Sequence, residues 1–307
     1  MGERSQVNYS YLPMVTFFWL SLCYSGHCTV EISSINTHYF LHSLHGCFSL
    51  KRCLLSFAAL CAVSFSTAQA AQPLTAPVLA SDIADRYANL IYYGSGATGM
   101  AMVVIDGNQR VFRSFGETRP GNNIHPQLDS VVRIASLTKL MTSEMLVKLL
   151  DQGVVKLDDP LSKYAPPGAR VPTYQGTPIR LVNLATHTSA LPREQPGGAA
   201  HRDVFVWPTR EQRWNYLSTA TLKAAPGSQA SYSNLAFDLL ADALSTAAGK
   251  PYTQLFEEQI TRPLGMKDTT FTPSPDQCRR LMVAEKGASP CNNTLAAVGS
   301  GGVYSTP

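Results

Sequence analysis

Charge is scarce in this chain of 307 residues: only 15% are Asp, Glu, Lys or Arg, and the formal net charge is +4. No run of Lys or Arg interleaved with aromatics forms a basic stripe, which argues against nucleic acid as a partner. Long apolar runs are missing too. The two best, "YLPMVTFFWLSLCY" (11–24) and "CLLSFAALCAVSF" (53–65), fall short of the roughly 20 residues needed to span a bilayer. Histidine is sparse after residue 70, where His125, His187 and His201 show no HExxH or comparable ligand spacing. Neither a metal nor any other cofactor is therefore expected. Internal repeats, low-complexity segments and long linkers are absent after residue 70. What is present is a chain 45% hydrophobic, enough for a globular core in one or two domains.

Cysteine is unevenly placed, since Cys23, Cys28, Cys47, Cys53 and Cys61 all precede residue 70 and only Cys278 and Cys291 follow. Within the early segment Lys51 and Arg52 lead into an apolar run and then "STAQAAQP", where Ala68 and Ala70 have small-x-small spacing. Residues 50–70 thus read as a secretory signal peptide cut after Ala70. Residues 1–49 read as a spurious or disordered extension, with translation expected to begin at residue 50. Export implies an oxidising compartment, so Cys278 and Cys291 are expected to form a disulfide. Closing a loop of that size contributes about 3 kcal/mol in the chain-entropy model.

Helical spacing of Ile83, Tyr87, Leu90 and Ile91 predicts a first helix, with Ser81 as N-cap and Gly94 as its stop. "GMAMVVIDGNQRVFRSFGET" predicts a β-hairpin turning at Asp106-Gly107-Asn108. Ser136 to Gln152 predicts a central, buried helix with Leu137, Leu140, Met141, Met145, Leu146, Leu149 and Leu150 on one apolar face and Gly153 ending it. "DPLSKYAPPG" offers Asp159 as cap and Pro160 at the first turn of a short helix. "SNLAFDLLADALSTAAGKP" predicts an amphipathic helix closed by Gly249 and Pro251. The chain stops at "SGGVYSTP" with no closing strand or helix predicted, and few strands are available after residue 120 to cover the hairpin's edge. An α/β layer incomplete at the C-terminus is the expectation.

"IASLTKL" carries the chemistry. Residues three apart share a helix face, so Lys139 can bring its ammonium beside the Ser136 hydroxyl. Unpaired N–H groups at a helix start favour the negative charge of a tetrahedral oxyanion. Desolvation among apolar neighbours such as Leu137 and Leu140 favours the neutral amine that serves as a base. Ser-x-x-Lys is also a pattern that chance supplies, and two polar residues on a solvated turn is its plain alternative. A second element lies in "ASYSNLAF": Tyr232 can relay protons, and the Asn234 amide can both accept from an ammonium and donate to a carbonyl. There the plain alternative is a packed aromatic beside an N-cap, Ser233 or Asn234.

Together with "LDDPLSKYAP", "LVNLATHTSALP", "ITRPLGMKDTTF" and "GSGGVYST", these motifs resemble the serine β-lactamase and penicillin-binding-protein superfamily, in its class C-like branch. The resemblance covers most of the chain after residue 70. It implies a β-lactamase/transpeptidase-like α/β (α+β) fold, an antiparallel sheet flanked by helices beside a mainly helical region, in one serine hydrolase domain over 71–307. Ser136 matches the acylated serine, Lys139 the lysine of Ser-x-x-Lys, and Tyr232 and Asn234 the Tyr-x-Asn box. The implied activity is a D,D-peptidase, carboxypeptidase or endopeptidase, cleaving D-alanyl bonds of peptidoglycan stem peptides and trapping β-lactams on Ser136. A class C-like β-lactamase and an inactive fragment are the alternatives. The implied location is the periplasm, with contact to the inner membrane at most peripheral. Two departures stand out. Ala190 replaces the usual glycine in "HTSALP", and the third box, Lys-Thr-Gly or His-Thr-Gly, is absent from these residues, as a chain cut short at its C-terminus would lack it.

Overall fold

A computed structural model describes residues 80–196, 207–283 and 291–307. The expected leader, the extension before it and His201 lie outside the described residues. Helix α1 (Ala80–Ser95) packs on a hairpin of β1 (Gly99–Asp106) and β2 (Gln109–Gly116). Asp106 pairs with Gln109, so the loop is Gly107-Asn108, and Gly107 alone takes the left-handed backbone, with φ +55°. Glycine at the first central position is what such a two-residue turn needs. Ser81 lies inside α1 rather than capping it, and Gly96, at φ +65°, follows the helix in place of Gly94. The buried face also differs from expectation. Ala84 and Ala88 are fully buried while Leu90 is 69% exposed, because small side chains let the helix lie close to the hairpin. There Tyr92 stacks on Phe115 at 5.3 Å.

Two longer helices organise the rest. A 3-10 turn, Ala135–Leu137, leads into α2 (Thr138–Asp151), so Ser136 sits one turn ahead of the α-helix instead of within it. Gly153, at φ +71°, follows its end as expected. The central buried helix is not α2, however, but α5 (Asn234–Ala248), in which every residue from Leu235 to Leu244 is buried. Leu140 of α2 is 68% exposed, and only Met145, Leu146 and Leu149 of its predicted apolar face are buried in the core. Glu144, Lys148 and Asp151 give α2 a solvent side, whereas α5 is apolar nearly all round and must be enclosed.

Around α5 lie α3 (Leu181–Ala185), α4 (Arg210–Thr219) and α6 (Tyr252–Phe256), the last running into a π-turn at Glu257–Thr261. Asp242 on α5 meets Arg213 on α4 at 3.0 Å, both fully enclosed. Arg213 also donates to the carbonyls of Pro208 (2.8 Å) and Ala296 (2.6 Å), which satisfies the buried guanidinium. Asp159 caps no helix. Its carboxylate accepts from Lys156 N–H (2.8 Å) and Tyr164 hydroxyl (2.6 Å), while Pro160 precedes the 3-10 turn Leu161–Tyr164.

Strands among the described residues form three two-stranded antiparallel pairs. Besides the hairpin, β4 (Thr173–Tyr174) pairs with β5 (Thr177–Pro178), and β3 (Val132–Arg133) with β6 (Tyr304–Ser305). Strand β6 corrects the expectation of no closing strand: two residues between glycines and a proline are too short to show a period. Short α7 (Pro275–Arg279) starts at Ser274, whose side chain accepts from Gln277 N–H, and carries Cys278. The Cys278 and Cys291 sulfurs lie 2.12 Å apart. The segment before β6 rests directly on α5, for a Cβ on Gly299 would meet the Phe237 carbonyl oxygen at 2.1 Å.

Candidate active site

After β3 the chain turns at Ala135, whose φ of +47° is unusual for a residue with a Cβ, and enters the 3-10 turn with Ser136 exposed. Lys139 follows one turn later and is only 7% exposed. Its Nζ donates to Asn234 Oδ1 (2.6 Å), to the Ser300 carbonyl (2.7 Å) and to Ser136 Oγ (3.3 Å). Those three acceptors match the three N–H bonds of an ammonium. The aromatic faces of Tyr232 and Phe237 lie 4.7 and 5.5 Å from Nζ and form its apolar surroundings. Leu140, expected beside it, faces solvent.

Tyr232 and Asn234 straddle the start of α5. The capping falls to Ser233, whose Oγ accepts from Ala236 N–H (3.0 Å) and donates to the Pro192 carbonyl (2.7 Å). Asn234 is thereby free to turn its side chain to Lys139. Tyr232 reaches the other way, its hydroxyl 2.6 Å from Ser136 Oγ, the shortest contact the serine makes in this cluster. All four residues singled out from the two motifs thus converge on one spot. A hydroxyl flanked by a phenol and an amine can give up its proton as it attacks a carbonyl.

Further groups surround these four. Asn234 Nδ2 donates to Glu194, so the amide bridges an ammonium and a carboxylate. The Arg193 guanidinium carbon lies 4.9 Å from the centre of the Tyr232 ring, and His187 stacks on that ring at 4.4 Å. Asp238, one turn beyond Asn234, accepts from the N–H groups of Gly299 (3.1 Å) and Ser300 (3.0 Å) and from Ser300 Oγ (2.9 Å). It therefore fixes the carbonyl to which Lys139 donates. Complete burial pushes its carboxyl up to about 7, outweighing the pull of Arg213. Burial, aided by the Lys139 charge, holds the His187 imidazole below its ordinary value.

Sequence reasoning missed Glu194, Asp238 and the Ser300 carbonyl, and gave His187 no part. One signal was present: Asn234, Asp238 and Asp242 recur every four residues through an otherwise apolar helix, a polar stripe that a buried helix does not carry without partners. His125 lies apart, its Nδ1 2.7 Å from the Gly116 carbonyl. Among the described residues no cluster of His, Cys, Asp or Glu is placed to hold a metal ion, and no helix is long and apolar enough to cross a membrane. The groove lined by Thr253, Glu257, Arg262 and Met266 contains none of the site residues.

The chain belongs to the β-lactamase family, whose model matches residues 80–307 and so spans the serine, lysine, tyrosine and asparagine cluster. Its relatives narrow this further. Over 258 residues, 84% of this chain and 67% of the relative, it is 86% identical to the D-alanyl-D-alanine-carboxypeptidase/endopeptidase AmpH of Escherichia coli strain K12. Among solved structures it is similar to a β-lactamase/D-alanine carboxypeptidase from Yersinia pestis complexed with citrate, with TM-score 0.73 and 62% identity. That match covers 76% of this chain and 66% of the other. A more distant relative, the human putative beta-lactamase-like 1, is 32% identical over 207 residues, 63% of this chain and 40% of the relative. The chain spans about two thirds of the length of the Escherichia coli AmpH and of the Yersinia pestis protein.

Proposed function

We propose that the chain is a serine D,D-peptidase, a carboxypeptidase and endopeptidase of peptidoglycan stem peptides, working through an acyl-enzyme on Ser136. One observation carries the reading: Ser136 Oγ lies 2.6 Å from the Tyr232 hydroxyl and 3.3 Å from Lys139 Nζ. Acting in its deprotonated form, Tyr232 takes the serine proton while Oγ bonds to the carbonyl carbon on the N-terminal side of the scissile bond. As the C–N bond breaks, the phenol returns that proton to the leaving amine, D-alanine or the cross-linked diamino acid. The tyrosine oxygen then takes a proton from water, whose oxygen bonds to the acyl carbon, and returns that proton to Ser136 Oγ as the C–Oγ bond breaks. Asn234 holds Lys139 in place and keeps a second amide N–H for the substrate carbonyl.

β-Lactams fit the same chemistry because ring opening gives a similar acyl-enzyme, so penicillins are proposed as covalent ligands. No nucleic acid, metal or other cofactor has a part in this scheme. The leader at 50–70 supports export to the periplasm, with the mature domain starting at Ala71 and touching the inner membrane at most peripherally. A fluorescent penicillin tests the whole reading. The exported chain should take up label, the adduct should map by mass spectrometry to the Ser136 peptide of a species beginning at Ala71, and Ser136→Ala should stay dark. Slow label loss together with D-alanine release from a stem pentapeptide is expected. Rapid label loss without D-alanine release identifies a β-lactamase instead, and an unlabelled wild-type chain removes the reading altogether.

A further inference from the structure

His187 lies in a loop that the proposed reaction does not use, yet it grips Tyr232 in three ways. Its carbonyl accepts from Ser231 N–H at 2.7 Å, and its Nδ1 accepts from Ser233 N–H at 3.0 Å, so the two bonds bracket residue 232 on both sides. Its ring lies against the Tyr232 ring with an interplanar angle of 28° and a centroid separation of 4.4 Å. His187 makes these contacts from a left-handed backbone, with φ +58°. That region is rarely occupied by residues with a side chain, and strain of this kind persists where the surroundings enforce it.

The bonding also fixes the state of the ring. A backbone N–H can donate only to a bare nitrogen, so Nδ1 carries no proton and the imidazole is neutral, with any proton on Nε2. Burial and the nearby Lys139 charge favour that form. An imidazolium would lose the bond to Ser233 and stand as a third cation beside Lys139 and Arg193, which already approach the Tyr232 ring at 4.7 and 4.9 Å.

We infer that His187 is a positioning residue, which as a neutral imidazole acceptor and stacking partner holds the Tyr232 hydroxyl on Ser136. The inference rests on the proposed role of Tyr232 as the proton carrier. Misplacing that hydroxyl by an ångström or so should slow acylation about 10²-fold while leaving reversible binding of the ligand unchanged.

The test uses the full chain and fluorescent penicillin, with the acylation rate constant and the reversible binding constant separated by varying ligand concentration. H187A should slow acylation about 10²-fold with the binding constant unaltered. H187N should restore the rate to within about 10-fold, because asparagine tolerates positive φ and its Oδ1 replaces the Nδ1 acceptor. H187F keeps a ring without an acceptor, should behave like H187A, and carries the comparison if H187A does not fold. Wild-type rates in H187A or H187F, or an H187N no faster than they are, overturn the inference. A readout independent of labelling is the tyrosine 13Cζ resonance that disappears in Y232F. It should move in H187A and H187F and stay nearly fixed in H187N, and an unmoved signal in all three overturns the inference even if the wild type never acylates. Absence of wild-type label, by contrast, counts against the proposed reaction and not against the grip on Tyr232.

Discussion

Helices α2 and α5 both supply the site, and they are built on opposite principles. α5 is enclosed from Leu235 to Leu244, Asp238 and Asp242 included, while α2 shows Leu140 and Val147 to solvent and buries only one side. The enclosed helix carries the supports. Asn234 holds Lys139 directly, and Asp238 holds it through the Ser300 carbonyl. The half-open helix carries the proposed nucleophile, Ser136, exposed just ahead of it. A nucleophile must meet a large substrate, whereas its supports are most rigid where no water competes for their hydrogen bonds. Burial is thus distributed by task.

The contrast is broken most severely in the core of each helix. Leu239→Ala on α5 should lower unfolding free energy by about 2–5 kcal/mol, because it leaves a cavity in fully enclosed packing. Leu140→Ala on α2 should change it by less than about 0.5 kcal/mol. Urea unfolding of the two variants reads the difference directly, and equal losses would mean that α2 is enclosed as well.

A subtler effect separates the supports from their surroundings by pH. In the folded chain burial raises the Asp238 carboxyl from 3.8 to about 7, so the folded state holds that proton more tightly than the unfolded state. Stability from this group is fully present below about pH 4 and is lost as pH rises toward 7. Asp238→Asn keeps acceptors for Gly299 and Ser300 but does not titrate. The stability of the wild type relative to D238N should therefore fall as pH climbs from 4 to 7. A difference that stays flat over that range in urea unfolding would place the carboxyl at its ordinary value.

The smallest effect concerns the loop between the two helices. Ala190, where relatives with this motif are expected to carry glycine, has φ +61°, so the alanine sits in a left-handed conformation that costs it roughly 1–2 kcal/mol. Ala190→Gly should raise stability by about 1 kcal/mol, somewhat less than the strain because glycine loses more backbone entropy on folding. A melting temperature that drops instead would show that the methyl group packs better than the backbone suffers.

Much of this arrangement was legible beforehand, and the reasons for the rest are physical. The hairpin, the end of α2 at Gly153 and the closure of α5 at Gly249 follow from local turn chemistry, which a few adjacent residues decide. Which of two apolar helices lies at the centre is not local. Both show helical periodicity, and only the packing of α3, α4 and α6 around α5 encloses one and leaves the other half open. Strand β6 escaped notice because two residues carry no period, and its partner β3 lies more than 170 positions earlier. The cap at Asp159 failed because a carboxylate has several N–H and O–H donors within reach and the fold chose Lys156 and Tyr164.

By itself, then, the sequence determined which four residues the proposed reaction uses. Ser136 with Lys139 is a matter of helical spacing, and Tyr232 with Asn234 of residues flanking the helix start at Ser233, both fixed by short-range geometry. Tertiary structure alone decided that the phenol from one helix start reaches the hydroxyl ahead of another. It also decided that Asp238, His187 and Glu194 stand behind them, since each of those contacts joins segments 40 to 96 residues apart. Hydrogen bonds of that range form only once the apolar surface of α5 has drawn its neighbours together, and no periodicity or motif records where they fall.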